Sequence, residues 1–184
     1  MALSGSKNFE PDVAEYIEEA FERCGLELRT GYDLRTAKRS ANLMLAEWAN
    51  RGLNQWTIKE VDITMVKDTS TYNIDSTNAT APIDVLDAYV RETINNETTD
   101  FPPNQVFVNK QTTPTITVWP VPDKNSTYTV RLNVLTRMDD VDGAVDTVDM
   151  PFRFFPCFVA GLAYYISMKK APERTGMLKQ VYEE

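Results

Sequence analysis

The sequence predicts an α+β fold: an antiparallel bundle of about four helices with an antiparallel β-sheet or small β-sandwich inserted between them. Three observations carry this. Two N-terminal segments hold apolar residues at helical spacing and are joined by a short link. From Trp56 the pattern changes to short alternating runs separated by prolines. After Pro151 a strongly apolar helical segment returns, followed by a short amphipathic one. The helical bundle is predicted over residues 1–56 and 150–184, the β subdomain over 57–137 and an acidic loop over 138–149.

Residues 1–10 read as a loose polar arm. Pro11 suits a first helical position, where a missing N–H costs nothing. Asp12, Glu15, Glu18 and Glu19 load the early turns with acid, which favours the positive end of a helix. Val13, Ile17, Ala20, Phe21 and Cys24 share one face, and Gly25 stops the helix. Asp33 reads as the cap of a second helix, whose stripe is Leu34, Ala37, Ala41, Met44, Leu45 and Trp48. Arg51-Gly52 closes it, and the short link favours an antiparallel hairpin. Arg35, Lys38 and Arg39 lie on its outer side and fit either a solvated face or a contact with an acidic partner.

Residues 57–66 alternate between apolar and polar, the mark of a half-buried strand. Lys67-Asp68 reads as a turn, with Thr71–Ile74 returning as a second strand. Further strands are predicted over Ile83–Arg91, Gln105–Val108, Thr115–Trp119 and Tyr128–Thr136. Prolines 82, 102, 103, 114, 120 and 122 suit edges and turns. Trp119-Pro120-Val121-Pro122 reads as a rigid turn under a packed Trp119, and Trp48 with Trp56 as a seal between helix and sheet.

Pro151 opens the third predicted helix, with Phe152, Phe155, Val159, Leu162, Tyr165 and Ile166 on a broad apolar face. Lys169 and Lys170 suit its negative end. The last helix carries Met177, Leu178, Val181 and Tyr182 and runs to Glu184 without a cap, so its end is expected to continue or to order against a partner.

Composition narrows the chemistry. The chain has 184 residues, which at roughly 150 per domain reads as one domain or one with a small elaboration. A net charge of -8 argues against a protein that grips phosphates through Lys and Arg. The absence of histidine removes Ser-His-Asp and Cys-His catalysis and His metal ligands. Cys24 and Cys157 form no C-x-x-C pair and read as buried, reduced thiols. No signal peptide and no run near the roughly 20 apolar residues of a membrane span is evident, so synthesis in a cytosol is expected. In that setting the sequons at Asn78, Asn96 and Asn125 read as chance matches.

The loop Asp139–Asp149 is the first candidate for a site. A calcium loop of the EF-hand type needs acids at alternate positions before its glycine and a Glu six residues after it. Met138 stands at the first of those places and the Glu is missing, so a solvated loop is expected. No G-x-G-x-x-G, P-loop or G-x-S-x-G occurs. No catalytic residue, metal ligand or cofactor is predicted. Carboxylate-based glycoside hydrolysis remains the alternative of another class, and it needs a deep pocket with two facing carboxylates.

The order of elements and the local wording resemble the head-to-tail adaptor, or tail tubular, proteins of short-tailed bacteriophages. The residues that carry the resemblance are Arg39–Trp56, "R-S-A-N-L-M-L-A-E-W-A-N-R-G-L-N-Q-W"; Ile83–Ala88; and Pro114–Pro122, "P-T-I-T-V-W-P-V-P". Pro151–Pro156, Gly161–Tyr165, Lys169, Ala171–Arg174 and Tyr182–Glu184 complete it. One departure is that Thr98–Pro103 runs directly into Gln105, where proteins of this kind usually carry a longer loop.

The resemblance implies a structural virion protein, not an enzyme, at the head–tail interface. Its copies, about twelve, would form a ring beneath the portal protein and extend the DNA channel toward a tail tube or nozzle protein. Double-stranded DNA would pass without specific binding, and no membrane is involved. A neck or tail-completion protein is the alternative within the class. Met177, Leu178, Val181 and Tyr182 form the candidate portal-docking interface, expected to order on binding.

Overall fold

The computed structural model describes residues 5–6, 8–74, 82–94, 97–103, 105–111, 113–125 and 127–183. The chain forms two compact units, one made of Met1–Arg51 with Met138–Glu184 and the other of Gly52–Arg137. Asn78 and Asn96 lie outside the described residues.

The first unit is helical. Helix α1, Val13–Arg23, is capped by Asp12, so Pro11 lies before the helix and not at its first position. The Glu15 N–H donates to Asp12 Oδ1 and the Asp12 N–H donates to Glu15 Oε2, both at 2.9 Å, so two orphan donors are satisfied reciprocally. Helix α2, Gly31–Asn50, is capped by Thr30, not Asp33. Asp33 instead completes a second capping box from the third helical position. Both helices stop at a glycine with positive φ, Gly25 at 69° and Gly52 at 68°, a conformation that costs glycine no Cβ clash.

Pro151 opens a single 3₁₀ turn, Phe152–Phe154, and helix α3 follows over Phe155–Lys170. After another short turn, helix α4 spans Thr175–Glu183. Helix α3 is the spine: Phe158, Leu162 and Ile166 are buried, and it packs against α1, α2 and α4. Helices α1 and α2 touch each other only sparingly, so the predicted two-helix hairpin gives way to packing on a shared third helix. The reason is area: α3 is apolar nearly all round and can cover both stripes. Cys24 is buried, its thiol donating to the Ala163 carbonyl at 3.3 Å. Cys157 is exposed, contrary to expectation: it lies in the first turn of α3, ahead of the buried run that starts at Phe158.

The acidic segment is structured. Its carbonyls at Ala144 and Asp146 accept the Ala14 and Val13 N–H groups at 2.9 Å, donors that the first turn of α1 would otherwise leave orphaned. Val141 is buried and its N–H donates to Asn42 Oδ1 at 2.8 Å. Side-chain carboxylates stay outside while main-chain groups dock, so a loop whose sequence reads as solvated is nonetheless fixed.

Among the described residues the second unit holds seven strands: β1 Ile58–Thr64, β2 Thr71–Asn73, β3 Asp84–Ile94, β4 Glu97–Phe101, β5 Gln105–Asn109, β6 Thr115–Trp119 and β7 Tyr128–Leu135. They form two antiparallel sheets, ordered β1-β7-β3-β4 and β2-β6-β5. Val90, Val130, Leu132 and Val134 from the larger sheet share one core with Tyr72, Ile116 and Val118 from the smaller. The outer face of the larger sheet is laced by ions. Arg131 stands opposite Asp62 and binds both its carboxylate oxygens at 2.6 Å, and Arg91 stands opposite Asp100 and does the same at 2.7 and 2.8 Å. Each Arg is held firmly protonated by that hydrogen-bonded carboxylate.

This arrangement overturns the predicted helix bundle with an inserted sheet. Among the described residues, seven strands in two antiparallel sheets, with a core of their own, set the architecture beside four helices. A β segment that closes its own core is a structural unit rather than an insert. Strand β4 is absent from the prediction because Glu-Thr-Thr-Asp-Phe is exposed throughout and shows no alternation. Trp119 is 57% exposed instead of packed: Ile116 and Val118 point into the core, so the period of two turns residue 119 outward.

Candidate functional sites

Helix α4 divides its apolar stripe between two environments. Leu178 is buried against the helical core, while Met177 and Val181 are exposed by 57% and 50%. Tyr182 is half-buried and fixed. Its hydroxyl accepts from Trp48 Nε1 at 2.7 Å, and its ring stacks on Tyr164 with centroids 5.9 Å apart. Gly161 makes this approach possible, since a Cβ there would lie 2.8 Å from Tyr182 Cε2 and also strike Met44 Sδ. The four predicted docking residues therefore separate into two anchors and two free side chains. Helix α4 packs on α3.

A groove of about 1150 Å³ opens in the same unit between the N-terminal arm, α1 and the start of α3. Its wall is apolar at Phe9, Phe152, Phe155 and Val159, and Glu10, Glu15 and Glu19 stand at its edge. Tyr16 also lines it, with edge-on contacts to Phe155 and Phe158 at 5.2 and 5.5 Å. Burial pushes the Tyr16 hydroxyl above its ordinary pKa, and that buried oxygen has no hydrogen-bond partner among the described residues. Motif reading misses this groove, because it joins residues far apart in sequence that carry no common signature.

Opposite in charge is the outer stripe of α2. Tyr32, Arg35, Arg39, Leu43 and Ala46 are all exposed and recur at spacings of three and four. Neither Arg35 nor Arg39 has an ion pair among the described residues, whereas Lys38 turns inward to the Asp142 carbonyl. In the β unit, Phe107 and Trp119 are exposed on neighbouring strands of the smaller sheet and form a separate aromatic patch.

Catalytic chemistry finds little support in these places. Glu15 caps α1 and Glu19 pairs with Arg23 at 2.9 Å, so two of the groove's carboxylates are engaged. Asp33, Asp84 and Asp100 are pulled below the usual carboxylate range by hydrogen bonds from Lys170, Lys110 and Arg91. A general acid requires the opposite shift. No group of three or more acidic or cysteine side chains able to hold a metal occurs among the described residues. None of the helices among those residues is long and apolar enough to cross a membrane.

What these surfaces can do is bind protein, and the comparison with known proteins points the same way. The family model for the SU10 adaptor protein matches residues 11–183, so the chain belongs to that family. No curated protein matches the sequence.

Proposed function

We propose that this SU10 adaptor family member works as a head-to-tail adaptor of a phage virion, forming a ring between portal and tail and extending the DNA channel. Family membership supports a structural phage adaptor. The portal, the tail tube or nozzle and neighbouring copies are the partners this role requires. The observation that carries the docking assignment is the split face of α4: Leu178 and Tyr182 hold the helix on the core, leaving Met177 and Val181 as an exposed apolar pair. A partner covering them would remove apolar surface from water without having to order the helix first. The charge of -8 suits a channel through which DNA slides unhindered.

The test uses Met177→Asp with Val181→Asp, both exposed positions, so folding is retained and checked by circular dichroism. Portal rings from the same phage should capture the wild-type chain and show a ring of density below them by electron microscopy. The double variant should lose at least tenfold in capture. Capture at the wild-type level would overturn the docking assignment. A wild-type chain that is absent from purified particles would overturn the adaptor reading as a whole, and a ring placed elsewhere in the neck would favour a tail-completion role.

A further inference from the structure

We infer that the basic outer stripe of α2 is the occupant of the acid-edged groove on a second copy of this chain. The inference rests on the ring reading above and names the contact that would join one copy to the next. Two surfaces of the helical unit stand open to solvent, and their chemistry is complementary. The groove offers apolar walls at Phe152, Phe155 and Val159, and its charged lining is Glu10, Glu15 and Glu19 with Arg23. The stripe offers Tyr32 and Leu43, 70% and 57% exposed, flanking Arg35 and Arg39.

From Tyr32 to Leu43 the stripe runs about 16 Å, three turns of helix, which is the form of a helix laid in a groove. Two arginines desolvated without carboxylates would be costly. The groove carries Glu10, Glu15 and Glu19 against the single cation Arg23, so its edge keeps a net negative charge although Glu19 also pairs with Arg23. The alternative of an unrelated basic segment explains the groove but leaves the α2 stripe uncovered. Groove and stripe lie on different elements of one unit, so a contact between them is head-to-tail. Such a contact propagates from copy to copy and closes into a ring if the rotation permits.

Chemical cross-linking of the full chain tests this even when the contact is weak. Cys157 is exposed beside Pro156 of the groove, and Cys24 is buried. Arg39→Cys places a second reactive thiol on the stripe. A short bismaleimide should then give a ladder of dimer, trimer and higher species, with peptide mapping showing 39–157 links between copies. Glu22→Cys, on the exposed outer side of α1, should give no ladder. Adding Arg35→Glu to Arg39→Cys should slow the 39–157 link about tenfold, and Glu19→Lys in the same chain should restore some of it.

A map dominated by 39–39 or 157–157 links, or an Arg39→Cys ladder no stronger than that of Glu22→Cys, would overturn the inference. Such a failure is distinct from failure of the adaptor reading, whose own test is portal capture and density in the particle.

Discussion

Two helical glycines should respond in opposite directions to the same substitution. Gly161 lies in the middle of α3 and Gly176 in the first turn of α4. Replacing glycine by alanine in a helix interior gains about 1 kcal/mol from backbone entropy, less near a helix end. At Gly176 nothing approaches within 4 Å of the new methyl group, so Gly176→Ala should gain about 0.5 kcal/mol. At Gly161 the methyl would lie 2.8 Å from Tyr182 Cε2 and collide with Met44 Sδ. Met44 is fully buried, and closely packed interiors leave a side chain little room to swing into. Overpacking of this kind costs about 1–3 kcal/mol. If α4 shifts instead, the Trp48–Tyr182 hydrogen bond goes, at about 1 kcal/mol. Either route exceeds or cancels the helix gain, so Gly161→Ala should lose about 1 kcal/mol net. Urea unfolding followed by circular dichroism at a helical wavelength measures both variants, and tryptophan emission reports whether Tyr182 leaves Trp48. Equal stabilisation by the two substitutions would refute the close approach of α4 to α3.

Leu178→Ala should destabilise the helical unit by about 2–3 kcal/mol, whereas Met177→Ala should stay within about 0.5 kcal/mol, as read by thermal unfolding. Equal effects would mean that α4 is not fixed on the face described. In the β unit, Asn54 donates to Thr57 Oγ1 at 2.9 Å and to the Thr136 carbonyl at 2.7 Å in a buried polar cluster. Asn54→Ala should cost about 1–2 kcal/mol, seen as a lower urea midpoint. Asp33 is held below the usual carboxylate range chiefly by its hydrogen bond from Lys170, so its contribution is present above the unfolded pKa and lost as pH falls through the folded one. Stability measured from pH 5 to pH 2 should therefore fall less steeply in Asp33→Asn than in wild type.

Helices α1 and α2 were legible in the sequence because each buries a single stripe. Val13, Ile17, Ala20 and Phe21 mark the face of α1 without help from any other segment of the chain. Caps were less legible: Asp33 has the composition of a cap, yet Thr30 three residues earlier takes that role and uses Asp33 as its reciprocal partner. Strands with one buried face, such as β6 and β7, announced themselves by alternation. What failed was the weight given to them. Alternation shows that a face is buried but not against what. That β1 pairs with β7 while β2 pairs with β6 depends on long-range register, and so does the closure of one core between two sheets. The insert therefore read as a decoration.

The apolar stripe of α4 shows the same limit at the scale of a site. At about 100° per residue, Met177, Val181, Leu178 and Tyr182 fall at about 0°, 40°, 100° and 140° around the helix. A single packed neighbour covers a narrower arc than that. Helix α3 takes the side of Leu178 and Tyr182, with Trp48 and Tyr164 gripping the tyrosine. The side of Met177 and Val181 is left over, continuous with the core yet open to water. Periodicity revealed four residues of one kind, and only packing could sort them into two that hold the helix and two that are free for a partner. The same logic applies to α2, where Ala37, Ala41 and Met44 go to the core and Tyr32, Arg35, Arg39 and Leu43 remain outside. In both helices the residues available for assembly are those that the fold itself did not need.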